Sequence, residues 1–370
     1  MNTNKLQYYI ALTLLPGFGP VKIKKTLNEY QNPINYFEKT TSLLPTPSLF
    51  KVNETIKHFK QKVLDLAKAE IEFCEKNNIK IITIHDKNYP TLLKEAYDPP
   101  IVLYAKGNTD INNYSKSISV VGTRKATQYG KSACNSILDE LASKHNFLII
   151  SGLALGIDTC AHKAAIDNNL PTIAVLGHGF SFLYPGNNKK LASKIIEKGG
   201  MLLSEYTHQT KPEGFNFVKR NRIIAGISQG TLVAESKIRG GALITASMAL
   251  SYDREVMAIP GRLWDETSKG CNMLIKQNKA SLVENADDVE KCLNWDLFTT
   301  QSLKKPTIGV KLTKEEKAIV EFLQKEKGKA EINVLSKLTG IDLSSLALHL
   351  INLEIKGVIK SLPGNFYQLI

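Results

Sequence analysis

A chain of 370 residues, 43% hydrophobic and 22% charged, can fill two or three buried cores, and its 24 glycines and 14 prolines are scattered, which excludes wholesale disorder, collagen-like repeats and low complexity. No apolar run reaches the roughly 18 to 20 residues that span a bilayer, and the opening MNTNKLQYYIALTLLPGFGP lacks the long apolar core and small-residue cleavage site of a signal peptide, so a cytoplasmic protein with no membrane contact is expected. The net charge of +13 fits a polyanionic partner, while five cysteines with no CxxC spacing argue against a disulfide framework and against a metal site, and no cofactor is expected.

Residues 1–75 show helical periodicity interrupted by Leu14-Leu15-Pro16-Gly17-Phe18-Gly19-Pro20. That turn reads either as a helix-hairpin-helix (SAM-like) element, whose amides and following lysines approach a phosphate, or as the bend of a small helical domain packed on its neighbour. From residue 79 to 298 the pattern becomes short β-branched runs alternating with amphipathic helical stretches. The runs are 79–84, 117–121, 147–150, 172–176, 201–204, 231–234, 255–259 and 281–283. Nearly continuous apolar runs are what a parallel sheet covered on both faces requires, so the fold class is α/β, an extended Rossmann-like doubly wound sheet. Function in such sheets sits in the loops beyond the carboxyl ends of the strands. Residues 299–311 read as a linker. Residues 312–370 read as helices at 314–324, 332–338 and 343–355 followed by a Pro363-Gly364-Asn365 hairpin, the order of a winged helix. Its third helix, LSSLALHLINLEI, has no lysine or arginine and only His349, which points to a protein contact or an auxiliary DNA surface rather than a groove reader.

Positive charge is divided unevenly: six arginines stand against 42 lysines, and all six lie between residues 124 and 262. A chain so rich in lysine keeps arginine where a planar, forked donor matters. The loop after 117–121, Gly122-Thr123-Arg124-Lys125, opens the backbone to an anion and adds that donor. Gly130-Lys131-Ser132 imitates the end of a Walker A loop, but Gly122 is too far upstream for the required spacing, so no ATPase is predicted. The next loop, Ser151 to Asp158, carries small residues including Gly152 and Gly156. Asp158 either caps the following helix or pairs with His162 as an acid–base dyad. Gly177-His178-Gly179 starts like a dinucleotide fingerprint that Phe182 breaks. Tyr184, Asn188 and Lys189 then offer a stacking ring and polar contacts for a strand. The densest donor cluster is Phe217, Lys219, Arg220, Asn221 and Arg222 at the start of a helix. Arg220 is expected to face inward, toward a carboxylate such as Glu235, with Lys219 and Arg222 shared between ligand and solvent. Gly240 belongs to a further strand-end loop.

These loops resemble those of the DprA/Smf family, DNA-processing protein A. The segments that carry the resemblance are SVVGTRKATQYG, SGLALGIDTCAHKAA, TIAVLGHGFSFLYPGNN, GMLLSEY, FNFVKRNRIIAGIS, GGALITASMA and VMAIPGRLWDETSKGCNMLI, in order over residues 89–285, with NYPTLLKEAYDPPIVLYAKG just before the sheet. The resemblance implies a non-enzymatic, dimeric protein that binds single-stranded DNA, protects incoming strands during natural transformation and loads the RecA recombinase. By motif position it places Gly122 and Arg124, the Ser151 to Asp158 loop, Gly177 and Gly179, and Arg220, Asn221 and Arg222 on the strand. Val218 departs from the family's usual proline, and Gly186-Asn187 replaces a stretch that often carries lysine, which shifts phosphate contact to Lys189 or Lys190. The competing reading is a Rossmann-like nucleotide hydrolase of the lysine-decarboxylase-like group using Glu235. The P-G-G-x-G-T-x-x-E signature of that group is incomplete here, since no Pro-Gly-Gly precedes Gly230-Thr231.

Overall fold

In the computed structural model, which describes residues 3–39, 52–295, 312–325, 329–356, 358–362 and 366–369, the chain divides into two compact units, Met1–Asp296 and Leu297–Ile370. The first unit opens with helices α1 (Thr3–Thr13), α2 (Pro20–Tyr30), α3 (Pro33–Lys39) and α4 (Val52–Lys76). Pro20 starts α2, where its missing N–H leaves no bond unmade. Tyr9, Ile10, Ile23 and Ile71 of these helices share one buried apolar cluster with Leu103 and Tyr104 of the sheet, so the helices are seated on it.

Strands and helices then alternate: β1 (Lys80–Thr83), α5 (Thr91–Glu95), β2 (Val102–Gly107), β3 (Ser117–Gly122), α6 (Gln128–Lys144), β4 (Leu148–Ser151), α7 (Ile157–Asp167), β5 (Thr172–Leu176), α8 (Lys189–Glu197), β6 (Met201–Ser204), α9 (Gly214–Gly226), β7 (Gly230–Glu235), α10 (Gly241–Ser251), β8 (Glu255–Ala258), α11 (Lys269–Lys276), β9 (Ser281–Leu282) and α12 (Ala286–Leu293). The nine strands form one sheet in the order β1-β2-β6-β5-β4-β3-β7-β8-β9. Neighbours from β6 to β9 are parallel, while β1–β2 and β2–β6 are antiparallel. Alternate residues feed opposite faces, as a pleat demands. Ile118, Val120 and Ile149 pack with Ile137 and Leu141 of α6. Val121, Ile150 and Val175 pack with Ile223 of α9 and Ala246 of α10.

One strand departs from the sequence expectation. The segment ending IVLYAKG, expected just ahead of the sheet, contributes β2 within it. Two prolines before this run mask the pattern, and its antiparallel pairing with β6 depends on residues about a hundred positions away. No single helix among the described residues is long and apolar enough to cross a membrane.

The order of strands fixes where a ligand can sit. From β3 the chain runs through α6 to β4 on one side, whereas β7 lies on the other side of β3. Loops leaving the carboxyl ends of β3 and β7 therefore diverge and leave a crevice, the usual binding position of an open α/β sheet.

The second unit consists of α13 (Lys314–Lys325), β10 (Lys329–Glu331), α14 (Ile332–Thr339), α15 (Leu343–Ile355), β11 (Ile359–Leu362) and β12 (Phe366–Leu369), with a small antiparallel sheet in the order β10-β12-β11. Ile319, Leu323, Leu335, Leu346, Leu350 and Ile359 form its core. Asp342 caps α15 by accepting from the amides of Ser344 and Ser345, both at 3.1 Å. The 299–311 linker and the Pro363-Gly364-Asn365 turn lie outside the described residues.

Candidate nucleic-acid interface

The crevice between the β3 and β7 ends opens as a cleft of about 580 Å³. Its walls carry Gly122, Thr123 and Arg124 after β3, Tyr184 from the loop after β5, Phe217, Arg220 and Asn221 from α9, and Gly240 after β7. Lys237 and Arg239, both exposed, add two cations on the β7 side that the sequence reading left out. Their signal was available: basic residues in a loop after a strand that flanks the switch point.

Helix α9 sorts the donor cluster by phase. Successive helical positions turn by about 100°, so Phe217, Arg220, Asn221 and Ile224 share the face toward the crevice, while Arg222 points away. Arg220 is 3% exposed, and its guanidinium donates to the carbonyl oxygens of Gly152, at 2.8 Å, and Val175. Its counter-charge is Asp158, not Glu235 as the sequence suggested: Asp158 raises the Arg220 pKa, whereas burial acts first and pulls it down to about 10. Asp158 in turn accepts from the amides of Gly152 and Ala154, both at 3.2 Å. Its own pKa is raised by burial, against the pull of Arg220 and those amides. Gly152 is required there, because a Cβ would stand 2.6 Å from the Arg220 guanidinium.

Above this buried pair lies an aromatic and cationic surface. The Phe217 ring has the guanidinium carbons of Arg124 at 5.7 Å and of Arg220 at 5.8 Å from its centroid. Tyr184, 45% exposed, tilts against it with centroids 5.4 Å apart. Arg124 is exposed and forms no ion pair with any described residue. Near this ring one guanidinium, that of Arg220, is thus fixed by backbone carbonyls, and the other, that of Arg124, is exposed.

Other expected residues serve the framework. Arg222 is 4% exposed and pairs with Glu205 and Asp98, so it is not shared with solvent or ligand. Ser151 donates to the Val120 carbonyl at 2.6 Å, and the Asn188 amide donates to Leu153 O at 2.8 Å and Thr159 Oγ1 at 2.9 Å. Gly177 makes room for the Phe217 ring, 2.6 Å from where a Cβ would stand, and Gly179 lies against the Thr207 carbonyl. Gly156, with φ of +80°, turns the chain into α7 beside Thr123. Lys189 is exposed at the start of α8, and Lys125 is exposed and lines an adjoining groove rather than the cleft. Lys219 faces a separate depression of about 170 Å³ that Leu14, Phe18 and Pro20 of the N-terminal turn also line, and its Nζ lies 5.8 Å from the Tyr206 ring centroid.

Both carboxylates of the rival readings are engaged by groups of the protein itself. Glu235 is 2% exposed, and its two oxygens accept from the Thr127 amide and hydroxyl, each at 2.8 Å, tying β7 to the start of α6. His162 does not pair with Asp158. The Thr172 hydroxyl donates to Ile149 O at 2.9 Å, so His162 Nδ1, 2.7 Å from it, is the donor between them.

His162 also makes stability depend on pH. Burial, reinforced by Arg220, pushes its pKa from 6.5 down to about 3. The unfolded chain takes up this proton between those values and the folded protein does not, so the contribution of neutral His162 is fully present above pH 6.5 and falls by about 1.4 kcal/mol per unit below it. Urea unfolding between about pH 7 and pH 5 should show that slope, reduced by this amount in His162→Asn; equal slopes in the two proteins would refute the assignment.

A family model described as DNA recombination-mediator protein A matches residues 80–294. Over 211 residues the chain is 43% identical to DNA processing protein DprA of Bacillus subtilis (strain 168), an alignment spanning 57% of this chain and 70% of that protein. The X-ray structure of DprA from Streptococcus pneumoniae matches with a TM-score of 0.66 at 33% identity, covering 77% of this chain and 97% of that one. A structure of DNA processing protein A from Helicobacter pylori, described for its single-stranded DNA binding mode, matches with a TM-score of 0.52 at 29% identity over 58% of this chain and 99% of that one. The matched span takes in all the cleft residues, and the chain belongs to the DNA recombination-mediator protein A family.

Proposed function

We propose that this chain binds single-stranded DNA in the cleft between the β3 and β7 ends, shields incoming strands in the cytoplasm and passes them to a RecA recombinase during recombination and natural transformation, without catalysing a reaction. The observation that carries this reading is the free Arg124 guanidinium over Phe217 beside exposed Tyr184. Splayed bases stack on such rings while the cation takes a phosphate, an arrangement a paired duplex cannot use. The binding mode described for the Helicobacter pylori relative supports the same ligand. The hydrolase reading loses its carboxylate, since Glu235 is engaged by Thr127. Fluorescence anisotropy should show oligothymidylate bound well above a duplex of the same length. Its affinity should fall by orders of magnitude from low to moderate salt; equal binding of the two, or a flat salt response, would refute the proposal.

In this reading residues 1–75 form a helical domain, 79–298 the Rossmann-like domain, 299–311 a linker and 312–370 a winged helix. Helix α15 of the last exposes Leu348 and Ile351, 61% and 53%, which suits a protein contact better than a DNA groove. We read the acting form as a homodimer, supported by Leu263 and Trp264, which stand 74% and 88% exposed in the loop after β8. Sedimentation equilibrium should give the dimer mass for the wild type and a lower mass for Trp264→Asp; a monomeric wild type would exclude this. Transfer to RecA is checked by whether the protein speeds RecA-dependent strand exchange on coated oligonucleotides.

A further inference from the structure

A second basic groove adjoins the cleft. It lies between α6 and α7, has a volume of about 680 Å³, and shares Arg124 with the cleft as a common wall. Leu155, 41% exposed, stands on the rim between them. Lys131 of α6 and Lys163 of α7 project from opposite walls, both exposed, and neither forms an ion pair with any described residue. The Cys160 thiol donates to Asn135 Oδ1 at 2.8 Å. Its pKa is lowered, first by a hydrogen bond from Cys134 and to a smaller extent by Lys131 and Lys163, against burial and Asp139, which raise it. Asp139 and Asp167 close the groove at its far end, so the positive stretch is short and begins at Arg124.

We propose that a single strand seated in the cleft continues past Arg124 into the α6–α7 groove, where Lys131 and Lys163 hold its next phosphates and Leu155 packs against a base at the turn. This rests on the reading of the cleft as a strand site. The occupant is argued from continuity: an isolated anion would need convergent donors, whereas these cations are spaced along a channel whose mouth is Arg124. The carboxylates at the far end limit the extension to about two phosphates.

The test compares oligothymidylates of about six and about twenty nucleotides, binding to the full chain by anisotropy. Lys131→Glu/Lys163→Glu should weaken the long strand about tenfold and lower its salt slope by about 1.4, while leaving the short strand within about twofold. Unchanged short-strand binding also certifies that the variant is folded. Asp167→Asn, which removes the terminal carboxylate, should tighten the long strand alone. Equal loss for both lengths, no loss for either, or wild-type protein that binds the two equally would overturn the groove while leaving the cleft intact. Wild-type protein that binds neither length would overturn the cleft reading and the groove with it.

Discussion

Arg222→Ala should lower the stability of the folded protein by about 3 to 5 kcal/mol and leave the strand affinity of the molecules that remain folded unchanged. The guanidinium, 4% exposed, is bonded to Glu205 and to the Asp98 carbonyl at 2.5 Å, with the Asp98 carboxylate 3.7 Å from Nε. The Glu205 side chain is itself only 7% exposed, and its other oxygen has no hydrogen-bond partner among the described residues. Truncating Arg222 would therefore strand one buried carboxylate and weaken the hold on another, which is far more costly than losing a surface pair. Urea midpoints measure the loss. Adding Glu205→Leu to an Arg222→Met background should recover part of it, since the stranded charge goes too. A variant that keeps its midpoint but loses oligonucleotide binding would return Arg222 to the ligand face.

Why Arg222 was expected on that face shows what a sequence can carry. Strands β3, β5 and β7 were legible because burial on both faces writes them as continuous apolar runs, and burial there is nearly complete. The loops after them were legible for the same reason, since they follow directly. The facing of four adjacent donors was not, because it depends on helical phase. The helix starts at Gly214 rather than near Phe217, and only tertiary contact tells which face meets the sheet. Nor could the partner of Arg220 be chosen. Asp158 and Glu235 both sit near strand ends, and the chain order of strands does not reveal that α9 crosses over the β4 and β5 ends, where Gly152 and Val175 offer their carbonyls. Glycines gave a true signal of close approach. Gly152, Gly177 and Gly179 do permit close approach, but what approaches is a guanidinium, a ring and a carbonyl of the protein itself.

Arg124→Ala should weaken single-stranded oligonucleotide binding by roughly 10- to 100-fold with no loss of stability, and Tyr184→Ala should weaken it by a similar factor for a different reason. Arg124 is exposed, has no carboxylate partner among the described residues, and lies 5.7 Å from the Phe217 ring centroid, so its removal leaves no buried charge behind. In the proposed complex, what disappears is a phosphate contact and the counterion release that accompanies it, so the slope of log affinity against log salt should become shallower by about 0.7. Tyr184 contributes a stacking surface beside Phe217 and no charge, so its loss, about 1 to 3 kcal/mol per stacked base, should shift affinity at every salt concentration while leaving the slope alone. Arg124→Lys separates the two parts of the guanidinium's work: the charge and the slope stay, while the flat contact with the ring and the forked donor are lost, and affinity should fall between the wild type and the alanine variant. If both alanine variants changed the slope equally, or neither changed affinity, the ladder of Arg124, Phe217 and Tyr184 would not be where the strand lies.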